Sequence, residues 1–176
     1  MVASVLLLIV VAALPSPQSS MPSGREVVSP SAYVSVDPAA RGGSFQVAVV
    51  LKIRNGFHIN ARQTSADYLI ATDLRADAPA GFKPGEVAYP PGELRSFAFS
   101  KKPLNVYQGN VVLRMAVSAL PDAPLGTQHI PLKLRYQACS NEVCLPPVTL
   151  DVDATLTVAS NAEASRPAHP ELFPTP

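Results

Sequence analysis

Apolar residues recur at every second position through Phe45, Val47, Val49, Leu51 and Ile53, against Gln46, Ala48, Val50, Lys52 and Arg54. This period matches a pleated strand with one face buried and excludes an amphipathic helix, whose apolar residues return every three or four positions. The same alternation runs through Val111, Leu113, Met115 and Val117, through Ile130, Leu132, Leu134 and Tyr136, and through Val148, Leu150, Val152, Ala154, Leu156 and Val158. Weaker strands are expected at Ala32 to Val36, Tyr68 to Leu74 and Lys83 to Tyr89, each bounded by Pro, Gly or Asp. About seven short strands, patterned on one side and separated by turn residues, predict an all-β fold: an immunoglobulin-like antiparallel β-sandwich. Proline points the same way. There are 19 prolines in 176 residues, about twice the average share, and proline belongs in turns and on edge strands.

The two ends read differently from the middle. Residues 1–22 have the pattern of a signal peptide: the apolar run Val2 to Leu14 has the length of a secretory h-region and falls short of the roughly 20 residues that span a bilayer. Pro15 ends the run, and a small polar stretch follows. The folded domain is expected over 30–158. Residues 159–176, rich in proline and without a period, are expected to be a disordered tail.

Composition narrows the function. A formal net charge of +1 supplies no long-range field for a nucleic acid, so nucleic-acid binding is disfavoured. Three scattered histidines without His-x-x-x-His spacing give no metal site, and no phosphate loop, nucleophile elbow or paired catalytic carboxylates occur. His58, beside Ile59, reads as a hydrogen-bonded structural histidine, and Lys101-Lys102 as a solvated loop.

Chemistry is left to Cys139 and Cys144, which enclose Ser-Asn-Glu-Val between the last two strong strands and are followed by Leu145-Pro146-Pro147. In an exported protein the default for such a pair is a structural disulfide. A ring of only about six residues is a weak staple, however, removing roughly 2.2 kcal/mol of unfolded-chain entropy against about 4.7 for a 100-residue loop. Exposed, tight disulfides are the labile ones, suited to thiol–disulfide exchange. Spacing alone leaves two readings open: an exchange site, or a non-catalytic binding or assembly module whose disulfide pins a hairpin tip.

The run Tyr136-Gln137-Ala138-Cys139-Ser140-Asn141-Glu142-Val143-Cys144-Leu145-Pro146-Pro147 resembles the active-site segment of the amino-terminal periplasmic domain of the DsbD thiol:disulfide interchange family. That segment reads Tyr-Gln-x-Cys, a short spacer, then Cys-x-Pro-Pro. Gly56-Phe57-His58-Ile59, Asp67-Tyr68-Leu69-Ile70 and Pro103-Leu104-Asn105-Val106-Tyr107 resemble further family segments, so that the likeness covers about Ala32 to Val158. It implies an immunoglobulin-like fold and a redox-active pair, with Cys144 as the transferring thiolate and Cys139 as the resolving one. Phe99, together with Phe97, falls where the family has its aromatic cap, and Tyr136 and Pro146 fall where a substrate protein would be contacted. The resemblance further implies a periplasmic monomer that needs no cofactor and meets thioredoxin-fold redox proteins as partners. A separate membrane electron transporter is expected as donor. Two features differ from the best-known members: the spacer has four residues rather than five, and Glu93-Leu94-Arg95-Ser96-Phe97 displaces the acid beside the cap and adds a base. No acid/base helper carries over.

Overall fold

The computed structural model describes residues 21–173, so all but the last two residues of the expected signal segment lie outside it. Twelve strands follow in chain order: β1 (Val28–Val34), β2 (Ala39–Ala40), β3 (Ser44–Ile53), β4 (His58–Asn60), β5 (Asp73–Ala76), β6 (Phe82–Ala88), β7 (Glu93–Arg95), β8 (Leu104–Tyr107), β9 (Asn110–Ala119), β10 (Gly126–Tyr136), β11 (Ala138–Cys139) and β12 (Val148–Ala159). They form one sheet in the order β1-β3-β9-β6, a second in the order β2-β12-β10-β5, and a small third sheet, β11-β4-β8-β7. Every pairing is antiparallel except the short β2–β12 contact. The fold is an all-β, immunoglobulin-like sandwich.

The period of two becomes the core directly. Val47 stands opposite Met115 and Val49 opposite Leu113 in the first sheet, while Leu132 stands opposite Val152 and Leu134 opposite Leu150 in the second. All eight are buried and belong to one continuous apolar cluster. Each such side chain contributes about 1.5–3 kcal/mol through removal from water, which makes these four strands the frame on which the third sheet is carried. Prolines fall where the ladder tolerates them: Pro30 lies in the edge strand β1, and Pro84 lies in the edge strand β6, where the register to β9 shifts.

Two expectations are corrected. The stretch Tyr68 to Leu74 becomes strand only from Asp73; before that it is a loop fastened to the end of β4, since the Asn60 side-chain amide donates to the Ile70 carbonyl (3.0 Å) and the Thr72 hydroxyl donates to the Asn60 carbonyl (2.6 Å). Side-chain partners replace a ladder there, leaving Tyr68 exposed. The tail beyond Ala159 is also ordered against the sandwich. Past β1 the chain offers unpaired backbone groups, and the tail takes them: Asp37 N–H donates to the Arg166 carbonyl (3.0 Å) and Ala168 N–H donates to the Ser35 carbonyl (2.8 Å). From β9 the Arg114 guanidinium adds a bond to the Leu172 carbonyl (2.6 Å). The His169 ring meets Tyr33 edge to face at 4.7 Å.

Candidate functional site

The cysteines sit on a hairpin that the sequence closes by itself. Ser140 N–H donates to the Val143 carbonyl (2.8 Å), while the Ser140 hydroxyl oxygen accepts from the N–H groups of Glu142 (3.2 Å) and Val143 (3.1 Å). This is the turn a serine favours at the first position. Beyond it Cys139 and Cys144 face each other as an antiparallel bridge and are joined as a disulfide, their Cα atoms 3.9 Å apart. One step further out, Leu145 N–H donates to the Ala138 carbonyl (2.8 Å). The two sulfur residues differ in access: Cys139 is fully buried, whereas Cys144 is only half-buried and stands between exposed Val143 and exposed Pro146.

Behind the hairpin lies β4. The turn Arg54-Asn55-Gly56-Phe57 leads into it, closed by Phe57 N–H donating to the Arg54 carbonyl (3.1 Å), with Gly56 at φ 82°, where any side chain would be strained. β4 then pairs with β11 so that His58 stands directly opposite Cys139, and Ile59 opposite Ala138. Directly opposed residues share a face of the sheet, with Cβ atoms about 4.5–5.5 Å apart, so the imidazole and the Cys139 sulfur occupy the same side.

The imidazole is also covered by aromatic rings. Phe97 stacks on His58 with ring centroids 3.9 Å apart, and Phe99 stacks on Phe97 at 5.4 Å, giving three nearly parallel rings. Phe97 is anchored from below by Leu104 and Val106, with Leu69 against them, in an apolar cluster separate from the main core. Phe99 is 40% exposed and flanks the pair, its ring centroid 6.3 Å from that of His58.

His58 itself is fully buried, and neither ring nitrogen has a hydrogen-bond partner among the described residues. The expectation of a hydrogen-bonded structural histidine is therefore wrong. Burial holds its pKa down at about 4, so the ring is neutral at pH 7 and carries one N–H donor and one lone-pair acceptor, both unused. An unpaired buried polar group of this kind costs on the order of 1–3 kcal/mol. The Oδ1 atom of Asn60, two residues along β4 and so on the same face, is buried and unpartnered as well.

The sequence-selected residues are thus only partly brought together. Cys139 and Cys144 are bonded, and both predicted aromatic residues stack with His58, Phe97 at 3.9 Å and Phe99 at 6.3 Å between centroids. Tyr136 does not line a partner surface: it is fully buried in the main core, and its hydroxyl donates to the Gly24 carbonyl (2.8 Å), burial pushing its pKa up to about 12. Its parity with Ile130, Leu132 and Leu134 places it on the core face. Pro146 is exposed beside Cys144. Glu93 is paired with Arg95 (2.6 Å) on the exposed strand β7. No group of three or more metal-ligating side chains occurs among the described residues.

A β-sandwich that carries a six-residue disulfide ring at a hairpin tip, one sulfur half-open and the other buried opposite a histidine, defines a domain built for thiol–disulfide chemistry. The family described as the N-terminal domain of the thiol:disulfide interchange protein DsbD matches residues 25–156, and the chain belongs to it. Membership brings thiol–disulfide oxidoreductase chemistry in general. Among solved structures, the N-terminal periplasmic domain of ScsB from Proteus mirabilis is similar at 13% identity and a TM-score of 0.46, over 70% of this chain and 44% of that one. The chain thus spans less than half the length of that relative. The complex between the DsbD N-terminal and PilB N-terminal domains from Neisseria meningitidis is similar at 19% identity and a TM-score of 0.40, over 69% of this chain and 80% of that one. No curated protein sequence matches the chain.

Proposed function

We propose that this domain is an exported, periplasmic protein-disulfide reductase module that passes reducing equivalents between thioredoxin-fold proteins through Cys139 and Cys144. The observation that carries this reading is the unequal burial of the pair: Cys139 closed, Cys144 half-open. Exchange requires a thiolate to approach one sulfur in line with the S–S bond, and Cys144 is the sulfur a partner can reach. A donor thiolate bonds to Cys144 Sγ, the Cys139–Cys144 bond breaks, and its electron pair leaves on Cys139. The donor's second thiol then loses its proton and attacks the donor's own first sulfur, releasing Cys144. The donor is left as a disulfide, and both cysteines take up protons. The reduced pair passes the same two electrons on by the reverse sequence, Cys144 attacking the client's disulfide and Cys139 resolving the mixed disulfide. No cofactor is required by these steps. A membrane electron transporter is the donor this reading calls for, and Pro146 and Val143 flank the sulfur where a partner would rest.

The rival reading, a bond that merely pins the hairpin, is weakened by Ser140, whose backbone and hydroxyl hydrogen bonds to Glu142 and Val143 close the turn without it. Trapping separates the two. Cys139→Ser should hold a mixed disulfide with a thioredoxin-fold partner through Cys144, and Cys144→Ser should hold much less. Equal trapping by both variants, or by neither, overturns the assignment.

A further inference from the structure

The exchange steps leave His58 without a task, although it stands opposite Cys139, is fully buried, lies flat under Phe97 and has no partner for either nitrogen among the described residues. We propose that His58 is the hydrogen-bond donor to the Cys139 sulfur when the disulfide opens, and so stabilises the leaving thiolate and the reduced state.

The chemistry accounts for the unpaired N–H in the oxidised form. A disulfide sulfur is a poor acceptor, so an N–H beside it finds nothing to bond. A thiolate is a charged acceptor, and bonds to charged groups are roughly twice as strong as neutral ones. Cys139 needs such a donor more than Cys144 does: its sulfur leaves with a negative charge in a place closed to water, where an unpaired charge is strongly disfavoured. The Phe97 ring fixes the plane of the imidazole, and the β4–β11 register holds His58 opposite Cys139, so the donor is already beside the strand position where the charge develops. As the bond opens, its electron pair passes to Cys139, the neutral ring donates its N–H to that thiolate without losing the proton, and the thiolate is later protonated by the proton that the donor's second thiol gives up. Atoms and charge balance without a further reactant.

This inference rests on the exchange reading but is tested apart from it, with dithiothreitol as the reductant. His58→Phe keeps an aromatic ring in the stack and removes both nitrogens; His58→Gln keeps an N–H donor and removes the ring. The expected result is that H58F is reduced about tenfold more slowly than the unmodified protein and has a tenfold smaller equilibrium constant for reduction, about 30 mV more negative. H58Q should stay within about threefold on both measures. An H58F protein that matches the unmodified one overturns the proposal, and so does an H58Q protein that falls as far as H58F, since packing alone would then account for the effect. Should H58F fail to fold, H58Q against H58L carries the same comparison. An unmodified protein that dithiothreitol reduces but no thioredoxin-fold donor does would overturn the exchange reading and leave the His58 comparison standing.

Discussion

Phe97 lies flat on His58, with ring centroids 3.9 Å apart and planes 17° apart, and this contact joins the loop after β7 to the strand that faces Cys139. Removing the buried and the exposed ring beside His58 should have different consequences. Phe99→Ala deletes a 40% exposed side chain and should cost under about 1 kcal/mol, while the reduced thiols react faster with a small disulfide reagent because apolar cover is lost. Phe97→Ala empties a buried site over Leu104 and Val106 and should cost about 3 kcal/mol in urea unfolding. Equal stability losses with unchanged thiol reactivity would show packing without shielding.

The disulfide should contribute little to stability. Replacing both cysteines by serine should leave a cooperatively unfolding sandwich, weaker by about 2 kcal/mol or less, because the ring is short and Ser140 holds the turn. Loss of cooperative unfolding in the double variant would instead assign the bond a structural role.

His58 also sets a pH dependence whose sign is fixed. Its pKa falls from 6.5 to about 4 on burial, so between those values the unfolded chain binds the extra proton. Stability is therefore full above pH 6.5 and is lost as pH falls toward 4, by about 2–3 kcal/mol over that window. His58→Phe should remove this component. Urea unfolding at pH 7 and pH 4.5 measures it, and parallel losses in the two proteins would contradict the assignment.

How much of this was legible in the sequence depends on whether a residue's position follows from its own strand or from another segment folding back. Strands β3, β9, β10 and β12 follow from alternation alone, because one face of each is buried against the opposite sheet. The cysteine pair was legible from spacing and from the Tyr-Gln-x-Cys run. Tyr136 was misassigned to partner contact by its place beside that motif, although its own parity with Leu132 and Leu134 already put it in the core. Phe97 and Phe99 alternate like strand residues, yet they sit at a turn closed by Ser100 N–H donating to the Phe97 carbonyl (3.1 Å). Only tertiary packing onto β4 brings them to His58. The tail lacked any period because its order comes from Ser35, Asp37 and Arg114, whose bonds to it no local pattern in the tail encodes.

The central claim, that Cys139 and Cys144 form an exchange disulfide and not a reinforcing one, is tested most directly by a redox titration of the unmodified protein against a thiol buffer. The account predicts a midpoint potential above about −300 mV, within reach of a thioredoxin-type donor. A midpoint below that value would place the bond among structural disulfides and contradict the account.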